Sequence, residues 1–127
     1  MSKKQIVTAK AFTPVYAYSQ GIVANGFVYT SGFGPHDPKT GQVIGDSIEE
    51  QTVATLDNVT AVLAAEGLDL SDVVKATVHL ADLKSDFPGF DSVYSVKMPA
   101  PFPVRTTVGS VLAGIKVEID VVAALRQ

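Results

Sequence analysis

The sequence predicts an α+β fold, a mixed β-sheet with two helices packed on one face. Three observations predict it. Val74, Ala76, Val78 and Leu80 alternate with Lys75, Thr77 and His79, and Val117, Ile119 and Val121 alternate with Lys116, Glu118 and Asp120. Period-two alternation of this kind makes strands with two unlike faces. Two other segments, opening at Ser47 and at Asp86, carry apolar residues at helical spacing. The order is strands, helix, strand, helix, strands, so each helix links strands that run parallel through a right-handed crossover. Both helices then fall on the same face of the sheet.

The elements follow in order. Gln5 to Thr8 reads as a short strand. Gly21 to Thr30 reads as a hairpin, because Asn25-Gly26 supplies the two positive-φ residues of a type I′ turn between β-rich runs. Ser31-Gly32-Phe33-Gly34-Pro35 makes a glycine-rich corner, and Asp37-Pro38-Lys39-Thr40-Gly41 a turn. Ser47 and Glu50 match a capping box, and Ile48, Thr52, Leu56, Val59 and Leu63 form one helical stripe up to a stop at Gly67. Asp86 is expected to cap the second helix, with Phe87, Phe90 and Tyr94 on one side, until Met98-Pro99-Ala100-Pro101 breaks it. Strands at Val104–Ser110 and Lys116–Ala124 complete the sheet.

At 127 residues the chain fits one domain, spanning 1–127. Hydrophobic residues make up 46% and charged residues only 18%. A domain this small leaves much of its chain at the surface, so part of the apolar surface is expected in a subunit interface. The net charge of -3 and scattered basic residues argue against a nucleic-acid partner. With no cysteine there is no disulfide, thiolate metal site or thiol nucleophile. Met1-Ser2-Lys3-Lys4-Gln5 lacks an apolar signal core, and no apolar run approaches the ~18 residues that span a bilayer. A cytoplasmic protein with no membrane partner is the expectation.

Chemistry concentrates at few positions. Arg105 stands after Pro103 inside a run of β-branched residues, Val104, Thr106, Thr107 and Val108. That stiff setting aims the guanidinium, whose fork of donors matches a carboxylate at two points. A structural ion pair and a ligand anchor both fit. Glu118, the remaining carboxylate of interest, shares its strand face with two other charges, and periodicity alone reads it as a solvated residue. The Ser31–Gly34 corner offers backbone N–H groups that a ligand can approach, or is a plain turn. Tyr18, taken alone, reads as a packing residue. His36 and His79 share no ligand spacing and read as surface histidines, so no metal site is expected.

Together the segments Tyr18-Ser19-Gln20-Gly21, Tyr29-Thr30-Ser31-Gly32, Asp37–Gly41, Gln51 through Asn58-Val59, Asp72–Val78, Pro103–Val108 and Val117-Glu118-Ile119 resemble the RidA/YjgF family, the reactive intermediate deaminases. They run over almost the whole chain in the right order, and the Pro-x-Arg-Thr and Ser-Gly segments are the most specific. The resemblance implies a chorismate-mutase-like α+β fold and a homotrimer with three clefts between subunits. It implies that Arg105 grips the carboxylate of a small imino or keto acid. Tyr18, Ser31 and Gly32 line the cleft, and Glu118 positions a water or moves protons. The implied reaction is hydrolysis of 2-aminoacrylate-type enamines and imines, as by a 2-iminobutanoate/2-iminopropanoate deaminase, to 2-keto acids and ammonia. No metal or organic cofactor is called for.

Several cleft positions depart from the family pattern. Tyr16-Ala17 replace the usual Gly-Pro, Phe33 replaces a frequent glutamine, Thr107 a common cysteine and Asp91 an asparagine. The double phenylalanine usual after the helix tyrosine is absent. These changes reshape the expected cleft around a retained arginine and glutamate. A non-catalytic carboxylate-binding or regulatory protein on the same fold is the alternative, and a ribonuclease a more distant one, disfavoured by the acidic balance.

Overall fold

The computed structural model describes residues 2–127; Met1, the first residue of the single domain expected over 1–127, lies outside them. Six strands, β1 (Lys4–Ile6), β2 (Gly21–Ala24), β3 (Phe27–Thr30), β4 (Val73–Leu80), β5 (Val104–Gly109) and β6 (Val117–Ala124), form one sheet in the order β1-β2-β3-β6-β4-β5. Helices α1 (Ile48–Ala64) and α2 (Leu83–Lys97) follow β3 and β4. The β4–β5 pair across α2 is parallel, and every other neighbouring pair is antiparallel. The C-terminal strand β6 slots between β3 and β4 and runs antiparallel to both, so β3 and β4 point the same way across α1.

The alternation read from the sequence sets the two faces. Val117, Ile119, Val121 and Ala123 of β6, with Ala76, Val78 and Leu80 of β4, bury one face. Leu56, Val59, Val62 and Leu63 of α1 and Phe90 and Tyr94 of α2 pack into the same core. Burial of each such side chain stabilises the fold by roughly 1.5–3 kcal/mol before entropy is counted. The hairpin turn has Asn25 at φ 54° and Gly26 at φ 85°, the pair of positive angles that a type I′ turn needs. At the start of α1 the Glu50 N–H donates to Ser47 Oγ at 3.1 Å, and the Ser47 N–H donates to Glu50 Oε1 at 3.1 Å. The capping box is therefore closed on both sides.

Two elements differ from the sequence expectation. The first strand is Lys4–Ile6 rather than Gln5–Thr8, because the Thr8 N–H is taken by the buried side chain of Gln20 at 2.8 Å and leaves the ladder. The second helix starts at Leu83, capped by Asp82, and not at Asp86. The Asp82 carboxylate accepts from the Ser85 N–H at 3.2 Å, and the Asp86 N–H is already helical, donating to the Asp82 carbonyl at 2.9 Å. Pro88 thus sits inside α2, where its missing donor forfeits one helical hydrogen bond on the exposed Lys84 turn.

The other face of the sheet carries no helix. Register places Lys75, Thr77 and His79 of β4 beside Val104, Thr106 and Val108 of β5, and beside Val122, Asp120 and Glu118 of β6. Phe27 and Tyr29 extend this face on β3. Tyr29 is 44% exposed and Val104 67%, so a mixed apolar and charged surface lies open in the single chain. Burial pushes the Asp120 carboxyl above its ordinary value, with His79 and Lys75 pulling it back.

Candidate active site

Arg105 points from β5 toward the helices. It pairs in register with the fully buried Ala76, and its guanidinium lies 4.7 Å from the ring centre of Tyr94, 5.3 Å from Phe90 and 5.6 Å from Phe87. Stacking on aromatic faces suits arginine, whose planar ion is weakly hydrated. Nη1 donates to Asp91 Oδ1 at 2.8 Å, so α2 supplies both the rings and a counter-charge. Next to the pair opens a cavity of about 360 Å3, lined by Asp91, Tyr94, Ser95, Phe102, Pro103 and Arg105. Burial pushes the Tyr94 phenol above its ordinary value, opposed by the Arg105 charge and assisted by Asp91. Thr107, two residues on, pairs with Val78 and therefore points to the same side as Arg105.

Glu118 belongs to a different cluster. It pairs with His79 and faces the helix-free side of the sheet. Its carboxylate lies over the backbone of Gly32, where a Cβ would come within 2.7 Å of Oε2. A side chain at 32 would thus push the Glu118 carboxylate out of this position. Tyr18, Gly32, Phe33, His36 and Glu118 share a small cavity of about 80 Å3 with Phe12 and Pro14. Phe33 bridges Ile119 by two backbone hydrogen bonds of 2.9 Å, which fixes the corner against β6. The Ser31 N–H and hydroxyl both donate to the Gln20 carbonyl, at 3.0 and 3.4 Å, and Ser31 lies outside that cavity's lining.

The chain therefore brings together Tyr18, Gly32, Phe33 and Glu118 in one place, and Arg105 and Thr107 in another. Between Arg105 and Glu118 lie two strand spacings, about 10 Å, and three residue steps, about another 10 Å, on opposite faces of the sheet. No small ligand reaches both within a single copy.

The sequence profile of the family described as Endoribonuclease L-PSP, the YjgF/RidA family, matches residues 8–125. The chain belongs to the YjgF/RidA family. It is 41% identical over 126 residues to Reactive Intermediate Deaminase A, chloroplastic, of Arabidopsis thaliana, covering 97% of this chain and 67% of that one. It is 37% identical over 123 residues to the 2-iminobutanoate/2-iminopropanoate deaminase of Bos taurus, covering 95% and 89%. The crystal structure of the YjgF gene product of E. coli superposes with a TM-score of 0.88 at 36% identity, covering 97% and 99%. The α+β class with two helices on a mixed six-stranded sheet is the fold of these RidA relatives.

Among RidA-type residues, three buried amides had no role in the sequence reading beyond their place in matching segments. Gln20 accepts from the Thr8 N–H at 2.8 Å and donates to the carbonyls of Thr8, Ala11 and Phe12. Asn58 accepts from the Phe12 N–H at 2.9 Å and donates to the carbonyls of Gly34 and His36. Gln51 accepts from the Lys116 N–H at 2.8 Å and donates to the Gly45 carbonyl at 3.0 Å. Each amide sits at 3–5% exposure and takes over backbone groups that the loops leave unpaired. The first two tie the 8–20 loop and the 31–36 corner around Glu118. Asn58 flanks the apolar stripe of α1, beside Val59 and one turn before Val62, and that placement is the signal that could have found it.

His36 is a correction as well. The surface histidine of the sequence reading is half-buried, packed on Phe12 at 5.0 Å between ring centres, and lines the Glu118 cavity. Burial pushes its imidazole below the ordinary value, partly opposed by the negative Glu118. Among the described residues no cluster of three or more His, Cys, Asp or Glu is arranged to hold a metal ion, and no helix is long and apolar enough to cross a membrane.

Proposed function

We propose that the protein hydrolyses small 2-imino acids to 2-keto acids and ammonia in clefts formed between copies of the chain in a homotrimer. The observation that carries this reading is the split of the retained charged residues. Arg105 opens toward the helices at the edge strand β5, and Glu118 lies on the uncovered face over Gly32. A neighbour packed on that face lets Arg105 and Thr107 of one copy complete a site with Tyr18, Ser31, Gly32, Phe33 and Glu118 of the next. The partly exposed Phe27, Tyr29, Val104 and Val108 supply apolar area for such packing.

The chemistry needs little machinery. The carbon of a protonated imine is already electrophilic, so the barrier lies in delivering water and moving protons. Arg105 binds the carboxylate and restricts rotation of the substrate. Water adds to C2 while Glu118 takes its proton, giving a carbinolamine. Glu118 returns that proton to the carbinolamine nitrogen, the C–N bond breaks as ammonia leaves, and the hydroxyl proton passes to solvent, so the carbonyl oxygen derives from the water. No group outside the chain enters these steps. Deaminase relatives in the family support the reading, and a cytoplasmic location is part of the proposal.

A second reading, binding of a carboxylate-bearing metabolite without turnover, is favoured by one feature, the Asp91 that stands beside Arg105 in place of the family's usual asparagine and changes what the pocket accepts. The two separate in one assay. An amino-acid oxidase generates 2-iminopropanoate in situ, and semicarbazide traps whatever imine persists. Added protein lowers the trapped yield if it is a deaminase. An unchanged yield across several side chains leaves the binder.

A further inference from the structure

Arg105 is not a free anchor. Nη1 is engaged by Asp91 Oδ1 at 2.8 Å, and among the described residues the guanidinium makes no other hydrogen bond. The pairing is one-point, so Nε and Nη2 of Arg105 and Oδ2 of Asp91 have no hydrogen-bond partner among the described residues. The Asp91 carboxylate is 42% exposed and lines the same 360 Å3 cavity as Arg105. Tyr94 forms part of that cavity's wall, and its buried phenol oxygen has no hydrogen-bond partner among the described residues. The cavity thus offers, side by side, a donor fork and an anionic acceptor. A carboxylate placed on Nε and Nη2 of Arg105 sits next to a like charge on Asp91. A ligand that carries a cationic nitrogen close to its carboxylate satisfies both groups, and one that lacks it is repelled.

We infer that Asp91 makes the Arg105 pocket selective for zwitterions, a carboxylate with a cationic nitrogen on the adjacent carbon, over simple carboxylate monoanions of the same skeleton. This rests on the reading of Arg105 as a ligand anchor. It names the substrate form, the protonated 2-imino acid, and it predicts that the keto acid, whose carbonyl is uncharged, binds less well in the same place. Specificity arises from a repulsive element as much as from an attractive one.

The test is equilibrium binding of 2-oxobutanoate and 2-aminobutanoate, by calorimetry or NMR titration, to the parent protein and to Asp91→Asn. Asparagine keeps a hydrogen bond to Arg105 and removes the charge. Asp91→Ala serves as a second variant in case the first folds poorly, with melting curves recorded for both. The expected result is that 2-oxobutanoate binds about tenfold more tightly to either variant while 2-aminobutanoate does not, so that the ratio of the two Kd values moves by about tenfold. A ratio that stays the same, both ligands tightening equally, or neither ligand binding any of the proteins would overturn the inference. Because the readout is binding, its failure is separable from that of the deaminase reading. A parent that shows the charge-dependent ratio but no imine turnover sinks only the latter, and an active parent with an unmoved ratio sinks only the former.

Discussion

At the residue scale, Arg105 and Glu118 have separable jobs. Arg105→Lys keeps the charge but loses the planar fork and the stacking on Phe87, Phe90 and Tyr94. It should fail nearly as badly as Arg105→Ala, each losing roughly 2–4 kcal/mol of transition-state stabilisation, about 30- to 900-fold in kcat/KM. Glu118→Gln is close in shape but cannot take a proton. It should lower kcat while keto-acid binding stays within a few-fold of the parent. Steady-state kinetics beside binding titrations separate the two patterns, and a Glu118→Gln protein with full turnover would remove the proton role. His36 contributes a pH dependence. Its folded-state pKa is lowered, so the unfolded chain takes up a proton more readily than the fold. Its contribution to stability is present above the usual imidazole value of 6.5 and is lost as pH falls through it toward the depressed value. Melting temperature recorded against pH should fall on the acid side of that value less steeply in His36→Gln than in the parent.

At the element scale, local signals carried most of the fold. The positive-φ pair Asn25-Gly26, the Ser47–Glu50 box and the period-two alternation of β6 each act within a few residues, and each formed as read. In β4 the alternation holds from Ala76 onward, whereas Val74, read as part of the apolar face, is 42% exposed because a bulge between Val73 and Lys75 puts Val73 in the core instead. The start of α2 was misread because Asp82 and Asp86 are both competent caps, and the choice depends on where β4 releases the chain. The position of β6 between β3 and β4 is a pairing over long sequence distance that no local pattern encodes. That same pairing sets Glu118 and Arg105 on opposite faces, so the geometry of the site was not legible even though its residues were. The loops that frame Glu118 hang on side-chain amides. Asn58→Ala should therefore cost about 1–3 kcal/mol by orphaning the Phe12 N–H and the Gly34 and His36 carbonyls. Denaturant titration would read this loss, and turnover should fall with it, because the 31–36 corner that cradles Glu118 loosens. An unchanged midpoint would mean that water replaces the amide without penalty.

At the scale of the whole molecule, a sheet with one face packed and the other half-open is an incomplete object. The open face mixes Phe27, Tyr29, Val104 and Val108 with Lys75, His79, Glu118 and Asp120, and one end of it holds half of the proposed site. Light scattering should give about three times the 13.4 kDa of one chain. The central claim is that each cleft takes Arg105 from one copy and Glu118 from the next. Co-expression of Arg105→Ala and Glu118→Gln chains under separate tags, followed by purification through both tags, tests it directly. Either variant alone has no intact cleft. Every trimer that carries both tags holds two chains of one variant and one of the other, and about a third of its clefts combine an unaltered Arg105 with an unaltered Glu118, so imine hydrolysis should return to about a third of the parent rate. Mixed trimers as inactive as the single variants would contradict the shared cleft and return Arg105 to a structural role under α2.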